Sequence, residues 1–158
     1  MEKLISKNPV AYHNYSINDT LEAGIVLSGT EIKSIRAGKV NLKDTYVNIK
    51  NGEVFVYGMH ISPYEFGNRN NVDPLRTRKL LLNRREIDKL YGMIKQKSIS
   101  IVPISMYFNG NKVKLELGIG KGKKLFDKRE DLAKKDAAMN IKRALKNSLL
   151  LLFILFIL

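Results

Sequence analysis

Apolar and polar positions alternate most strictly around residue 115. Val113, Leu115, Leu117 and Ile119 point one way, while Lys112, Lys114 and Glu116 point the other. This period of two marks a strand with one buried and one charged face. Upstream, SISIVPISMYF (Ser98 to Phe108) is strand-like, and Pro103 within it requires an edge or a bulge. Asn109-Gly110 between these runs reads as a hairpin turn. TYVNIK and EVFVYG flank Asn51-Gly52, a dipeptide whose two positions take positive φ cheaply, so a second hairpin with a type I′ turn is expected there. EAGIVL (Glu22 to Leu27) reads as a further strand.

The period lengthens in two places. In SGTEIKSIRAG (Ser28 to Gly38), Ile32 and Ile35 share a helical face, Thr30 is a candidate cap and Gly38 a stop. Asn83 and Glu86 form an N-x-x-E capping box ahead of Ile87, Leu90, Tyr91 and Ile94, which fall on one face of a second helix. Ser62 to Arg78 is polar, aperiodic and holds two prolines, so it reads as a long loop. The first eight residues read as a loose arm. Strand, short helix, hairpin, loop, helix and hairpin predict a mainly β, α+β chain: an OB-like antiparallel β-barrel flanked by helices, with a basic C-terminal tail. Such barrels often bind oligonucleotides.

Charge sharpens this picture. The chain carries 28 Lys and Arg against 15 Asp and Glu, a net +13. Residues 112–146 hold 12 basic and 5 acidic residues, so about half of the excess lies there. Within that stretch GKGKKLFDKRED, Gly120 to Asp131, sets five basic residues around one aromatic. Such a surface attracts polyanions, either nucleic acid or an anionic membrane surface. Arg76, Arg78, Lys79, Arg84 and Arg85 form a second basic cluster. Lysines neutralise phosphates, and aromatics stack on unpaired bases.

Catalytic chemistry finds no support. The chain has no Cys, which removes disulfides, thiolate metal sites and a Cys nucleophile. The glycines of GIGKGKK do not make a phosphate loop, because Lys124 follows Gly122-Lys123 where Ser or Thr is needed, and Leu117 stands where the first glycine belongs. Gly118, Gly120 and Gly122 instead read as a flexible exit from the last strand. His13 and His60 have no ligand set at metal spacing. The chain reads as a non-enzyme with no cofactor and no metal. MEKLISKNPVAYH lacks the apolar core of a secretory signal, which fits a cytoplasmic location.

EAGIVLSGTEIKSIRAGKVNLKDTYV, DPLRTRKLLLNRREI and GKGKKLFDKRED, in this order, together closely resemble the SsrA-binding protein (SmpB) family from about Asn8 to Lys146. The resemblance implies a factor that binds the tRNA-like domain of transfer-messenger RNA (tmRNA) and delivers it to ribosomes stalled on truncated messages, for trans-translation. The barrel would stand where an anticodon arm is missing. The tail would enter the small-subunit decoding centre and the empty message channel. Alanyl-tRNA synthetase and elongation factor Tu would be indirect partners, and no membrane is expected.

Matched to the family's motifs, Asn8, His13, Tyr15, Glu22, Leu81 and Lys114 are the implied RNA-binding residues. Gly122, Lys123, Lys124, Phe126, Asp127, Lys128 and Arg129 are the implied tail residues at the decoding centre. Residues 1–119 would form the barrel, and 120–146 a tail disordered alone and helical on the ribosome. Asp127 would cap that helix, with Leu132 and Met139 on one of its faces.

The chain departs from the pattern in three places. Pro9 and Val10 stand where basic residues follow the family's Asn. Phe126 replaces a His or Tyr. Residues 147–158 end in LLLLFILFIL, foreign to a polar family tail and about half the length a spanning helix needs. A shifted reading frame, shallow membrane insertion, packing on the barrel or aggregation each fit that run. Without the resemblance, two other readings stay open: a general structured or single-stranded RNA-binding OB protein, and a membrane-surface protein using the basic helix and the apolar end.

Overall fold

The computed structural model describes residues 2–96, 98–123 and 125–157. The side chains of Asn68, Leu125, Phe126, Asp127, Ile154 and Ile157 are outside that description. The chain forms two compact units, Met1–Gly122 and Lys123–Leu158.

The first unit is built from strands β1 (Glu2–Lys7), β2 (Tyr15–Ile25), β3 (Val40–Asn41), β4 (Tyr46–Lys50), β5 (Glu53–Tyr57), β6 (His60–Ile61), β7 (Arg78–Leu81), β8 (Ile99–Asn109) and β9 (Lys112–Gly122). Helices α1 (Ala11–Asn14), α2 (Gly29–Arg36) and α3 (Arg84–Ile94) interrupt them. The main sheet runs β1-β8-β4-β5-β7-β2-β9, and β9 also pairs with β8, so the antiparallel pairings trace a circuit. Only Val47↔Ile101 joins β4 to β8. The architecture is OB-like. Its interior is filled by the inward positions of the alternating strands, among them Ala23, Val54, Val56, Leu80, Met106, Leu115 and Leu117, together with Ile35 of α2 and Leu90 of α3.

Several expectations need correction. The first residues are not a loose arm. They form β1, paired with β8 from Glu2↔Asn109 to Lys7↔Ser105. The first long strand begins at Tyr15, seven residues before EAGIVL. Ser28, not Thr30, caps α2. Its hydroxyl accepts from the Glu31 amide while Glu31 Oε1 accepts from the Ser28 amide at 2.9 Å, a full capping box. The Lys39 amide reaching Ser34 and the Gly38 amide reaching Ile35 close α2 in a Schellman motif, with Gly38 at φ +75°. The second hairpin turns on Gly110-Asn111, since Asn109 pairs with Lys112 and Gly110 has φ +61°. The Asn51-Gly52 turn and the Asn83/Glu86 capping box are present as expected, with φ +54° and +75° at the turn.

Pro103 marks a bulge, not an edge. The β8–β9 register shifts between Pro103 and Ser105, and the β2–β9 register shifts between Ile17 and Asp19. Each shift flips the side-chain phase of its strand. Tyr15 and Ile17 therefore face the same side as Thr20, Glu22 and Gly24. On that outer side α1 covers the sheet, and Ala11, Val102 and Ile104 form a small second core with Tyr15 and Ile17. The glycines of β9 lie beneath it. A Cβ on Gly120 would stand 2.0 Å from the Ser16 carbonyl oxygen, and one on Gly118 2.8 Å from Ile104 Cδ1. These glycines permit close approach inside a paired strand that continues to Gly122, in place of the flexible exit expected.

The second unit contains α4 (Leu125–Ile157). It starts two residues before Asp127, the cap expected from sequence. Leu132 and Met139 are both half exposed, and the apolar stretch from Leu149 is exposed throughout its described side chains, up to 89% at Phe156. Among the described residues, no helix is long and apolar enough to cross a membrane.

Candidate nucleic-acid interface

The outer face of β7, β2, β9, β8 and β1 carries one cross-strand row. Leu81 pairs with Gly24, Gly24 with Lys114, Lys114 with Tyr107, and Tyr107 with Leu4. Each follows from the strand period, because the alternate positions Leu80, Ala23, Leu115 and Met106 are buried inside. Leu81 is 53% exposed, so it is not core packing. Gly24 leaves a notch between its neighbours, for a Cβ there would lie 3.2 Å from Leu81 Cβ and 3.7 Å from Lys114 Nζ. A concavity of about 320 Å³ opens beside it, bounded by Ile25, Leu27, Leu81 and Lys114.

The adjoining row is acidic. Glu22 lies opposite Glu116, and Glu116 opposite Ser105. Two carboxylates directly across a ladder repel, and each is met by a hydroxyl from β8. Ser105 Oγ hydrogen-bonds Glu116 Oε2 at 3.2 Å, and the Tyr107 phenol donates to Glu22 Oε2. Partial burial, then the Glu22 hydrogen bond and charge, push the Tyr107 hydroxyl far above its ordinary value of 10.0, so it remains a donor at any physiological pH. Together with Glu2, Leu4 and Lys7 these groups line a second concavity of about 550 Å³. The face is therefore mixed in charge. Lys7, Lys112 and Lys114 attract phosphate, while the carboxylates accept only from hydroxyl, amino or cationic groups.

The expected residues thus divide by place. Glu22, Leu81 and Lys114 come together at one end of β2. Tyr15 and the partly buried His13 sit at the other end, Tyr15 seven residues or about 23 Å along the strand from Glu22, where it pairs with Gly122. Asn8 is elsewhere. It is 9% exposed, its Nδ2 donates to the Pro103 carbonyl at 3.0 Å, and its Oδ1 accepts from the Val10 amide at 3.2 Å. Its side chain holds the β8 bulge. In the second unit, Lys123 forms an ion pair with Asp131, and Arg129 is exposed. Lys124 and the side chains of Phe126 and Asp127 lie outside the described residues.

The second basic cluster is divided: Lys79, Arg84 and Arg85 are at the surface, and Arg76 and Arg78 turn toward Glu31. Arg78 is fully buried. Its Nε and the Arg76 guanidinium each hold Glu31 at 2.5 Å, and its other nitrogens donate to the Met59 and Pro74 carbonyls. Lys79 pairs with Glu53 and Arg84 with Asp88. Among the described residues no group of His, Cys, Asp and Glu could hold a metal ion. Sequence reasoning passed over Tyr107, whose signal was its phase: it stands two residues before Asn109 on the outward side of the strand that pairs with Lys114.

The model of the SmpB protein family matches residues 5–147. The chain belongs to the SmpB family. The SsrA-binding protein of Acetivibrio thermocellus is 64% identical over 147 residues, covering 93% of this chain and 96% of that one. The SsrA-binding protein of Bacillus subtilis is 58% identical over 146 residues, covering 92% and 94%. Among solved structures, a chain of "tmRNA-SmpB: a journey to the center of the bacterial ribosome" superposes with a TM-score of 0.65 at 45% identity, covering 76% of this chain and 85% of that one. The SmpB match stops short of the run from Leu149 to Leu158.

Proposed function

We infer that this protein binds the tRNA-like domain of tmRNA through the outer face of its barrel and delivers it to stalled ribosomes for trans-translation, acting in the cytoplasm as a binding factor and not as a catalyst. The observation that carries this reading is 58–64% identity to SsrA-binding proteins over more than nine-tenths of the chain. The row Leu81, Gly24, Lys114 supports it physically. It offers an apolar contact, a notch and a cation side by side, suited to a sugar or base edge beside a phosphate. Residues from Gly122 onward take the place of a codon–anticodon signal, following ribosomal RNA in the decoding centre and the empty message channel. Lys123, Lys128 and Arg129 supply phosphate contacts there. Alanyl-tRNA synthetase and elongation factor Tu meet this protein only through the RNA.

The test is a salt titration of binding to the tRNA-like domain. Log affinity falls linearly with log salt, and Lys114→Ala weakens binding and reduces the slope by about one unit or less. A slope unchanged by Lys114→Ala, with affinity intact, removes Lys114 from the interface.

A further inference from the structure

The Tyr107 phenol reaches from β8 across β9 to Glu22 on β2, bridging two ladder spacings or about 10 Å. Neither residue needs this bond to pack. Tyr107 is partly exposed and Glu22 is exposed. What the bond does is fix a carboxylate that would otherwise turn away from Glu116, its direct neighbour across β2 and β9. It engages Oε2 alone. Among the described residues, Glu22 Oε1 has no hydrogen-bond or ion-pair partner, although Lys114 lies on the same face. A carboxylate has no proton to donate, so against RNA its open oxygen repels phosphate and accepts from neutral donors, a ribose 2′-hydroxyl or a base amino group.

We propose that Tyr107 is a positioning residue for RNA: its hydroxyl fixes the Glu22 carboxylate so that Oε1 accepts from a hydroxyl or amino donor of the bound RNA. A basic surface alone binds any polyanion. A fixed acceptor opposite Glu116, on the face that carries Lys114, penalises RNA that places a phosphate there and rewards RNA that places a donor there, which is discrimination and not attraction. The inference rests on the RNA-binding reading above.

The experiment is a double-mutant cycle on the full chain with Tyr107→Phe, Glu22→Ala and the double variant, each titrated with the tRNA-like domain of tmRNA. Tyr107→Phe keeps the ring and loses only the hydroxyl. It binds about tenfold more weakly, melts within about 2 °C of the parent, and keeps the parent's salt slope, since no phosphate contact is lost. The double variant binds like Glu22→Ala to within about twofold, because the hydroxyl acts only through the carboxylate. Modified RNAs separate the donors. If the donor is a ribose hydroxyl, deoxyribose in the bound segment abolishes the Tyr107→Phe effect. If it is a base amino group, the RNA lacking that group abolishes it: inosine for guanosine, purine riboside for adenosine, or 2-pyrimidinone riboside for cytidine. Losses that multiply in the double variant, parental affinity in Tyr107→Phe, or an effect that survives every one of these modified RNAs overturns the proposal. A parent chain that does not bind the tRNA-like domain removes the RNA reading, and this inference with it. A parent that binds while Tyr107→Phe is unaffected removes this inference alone.

Discussion

Glu31 is 3% exposed and carries two arginines, one of them completely buried. Arg78, the first residue of β7 and not the last of the loop expected over Ser62 to Arg78, in turn ties the end of that loop to the barrel through the Met59 and Pro74 carbonyls. Removing the charge of Glu31 leaves a buried guanidinium without its counter-charge, so Glu31→Gln costs about 3–5 kcal/mol, measured by denaturant unfolding. Burial pushes the Glu31 carboxyl upward, but hydrogen bonds from Arg76, the Ser28 amide and Arg78 together outweigh it and hold it below the ordinary value of 4.5. A depressed carboxylate contributes stability that is present above that value and lost as the pH falls below it. The parent chain therefore loses stability on acidification below about pH 4.5 more steeply than Glu31→Gln does. The spacing of Ser28 and Glu31 is that of Asn83 and Glu86, so the capping role of Glu31 could be read from it, although Thr30 was the cap expected there. Its ion pair could not, because Arg78 lies 47 residues away and nothing local distinguishes a buried arginine from its exposed neighbours.

At the scale of elements, period and turn chemistry were legible where a strand keeps one phase along its length. Val113 to Ile119 and the Asn51-Gly52 hairpin are of that kind. Strands β2 and β8 are not, because each changes phase at a bulge. A pattern that reverses halfway hides both the start of β2 at Tyr15 and the second core beneath α1. Strand β1 was missed for another reason: its exposed edge residues show no alternation, and only pairing with β8 reveals it. Such pairing also fixes the limit of the barrel. Strand β9 remains hydrogen-bonded to Gly122, and among the described residues every member of the barrel's core precedes that glycine. A chain ending at Gly122 therefore folds with a melting temperature within a few degrees of the full chain and binds tmRNA. It fails to tag nascent chains on stalled ribosomes, because the phosphate-neutralising residues from Lys123 onward are gone. Loss of folding places the tail in the core, and preserved tagging removes the role assigned to the tail.

For the whole molecule, charge pointed only to a polyanion, nucleic acid or a membrane surface, and family resemblance singled out tmRNA. The surface qualified both. The +13 excess does not lie as one basic sheet across the barrel. Arg76 and Arg78 are turned inward on Glu31, and the face that brings Glu22, Leu81 and Lys114 together alternates acid with base. Such a face selects by matching donors, acceptors and phosphates to one RNA shape, whereas a uniform patch would take any polyanion. The central claim is thus selectivity for the tRNA-like domain of tmRNA. The most direct measurement is competition at near-physiological salt: labelled tRNA-like domain bound to the full chain, challenged with unlabelled tRNA-like domain or with an ordinary elongator tRNA of similar length. The tRNA is expected to compete at least about tenfold less well. Equal competition by the two RNAs would contradict that selectivity.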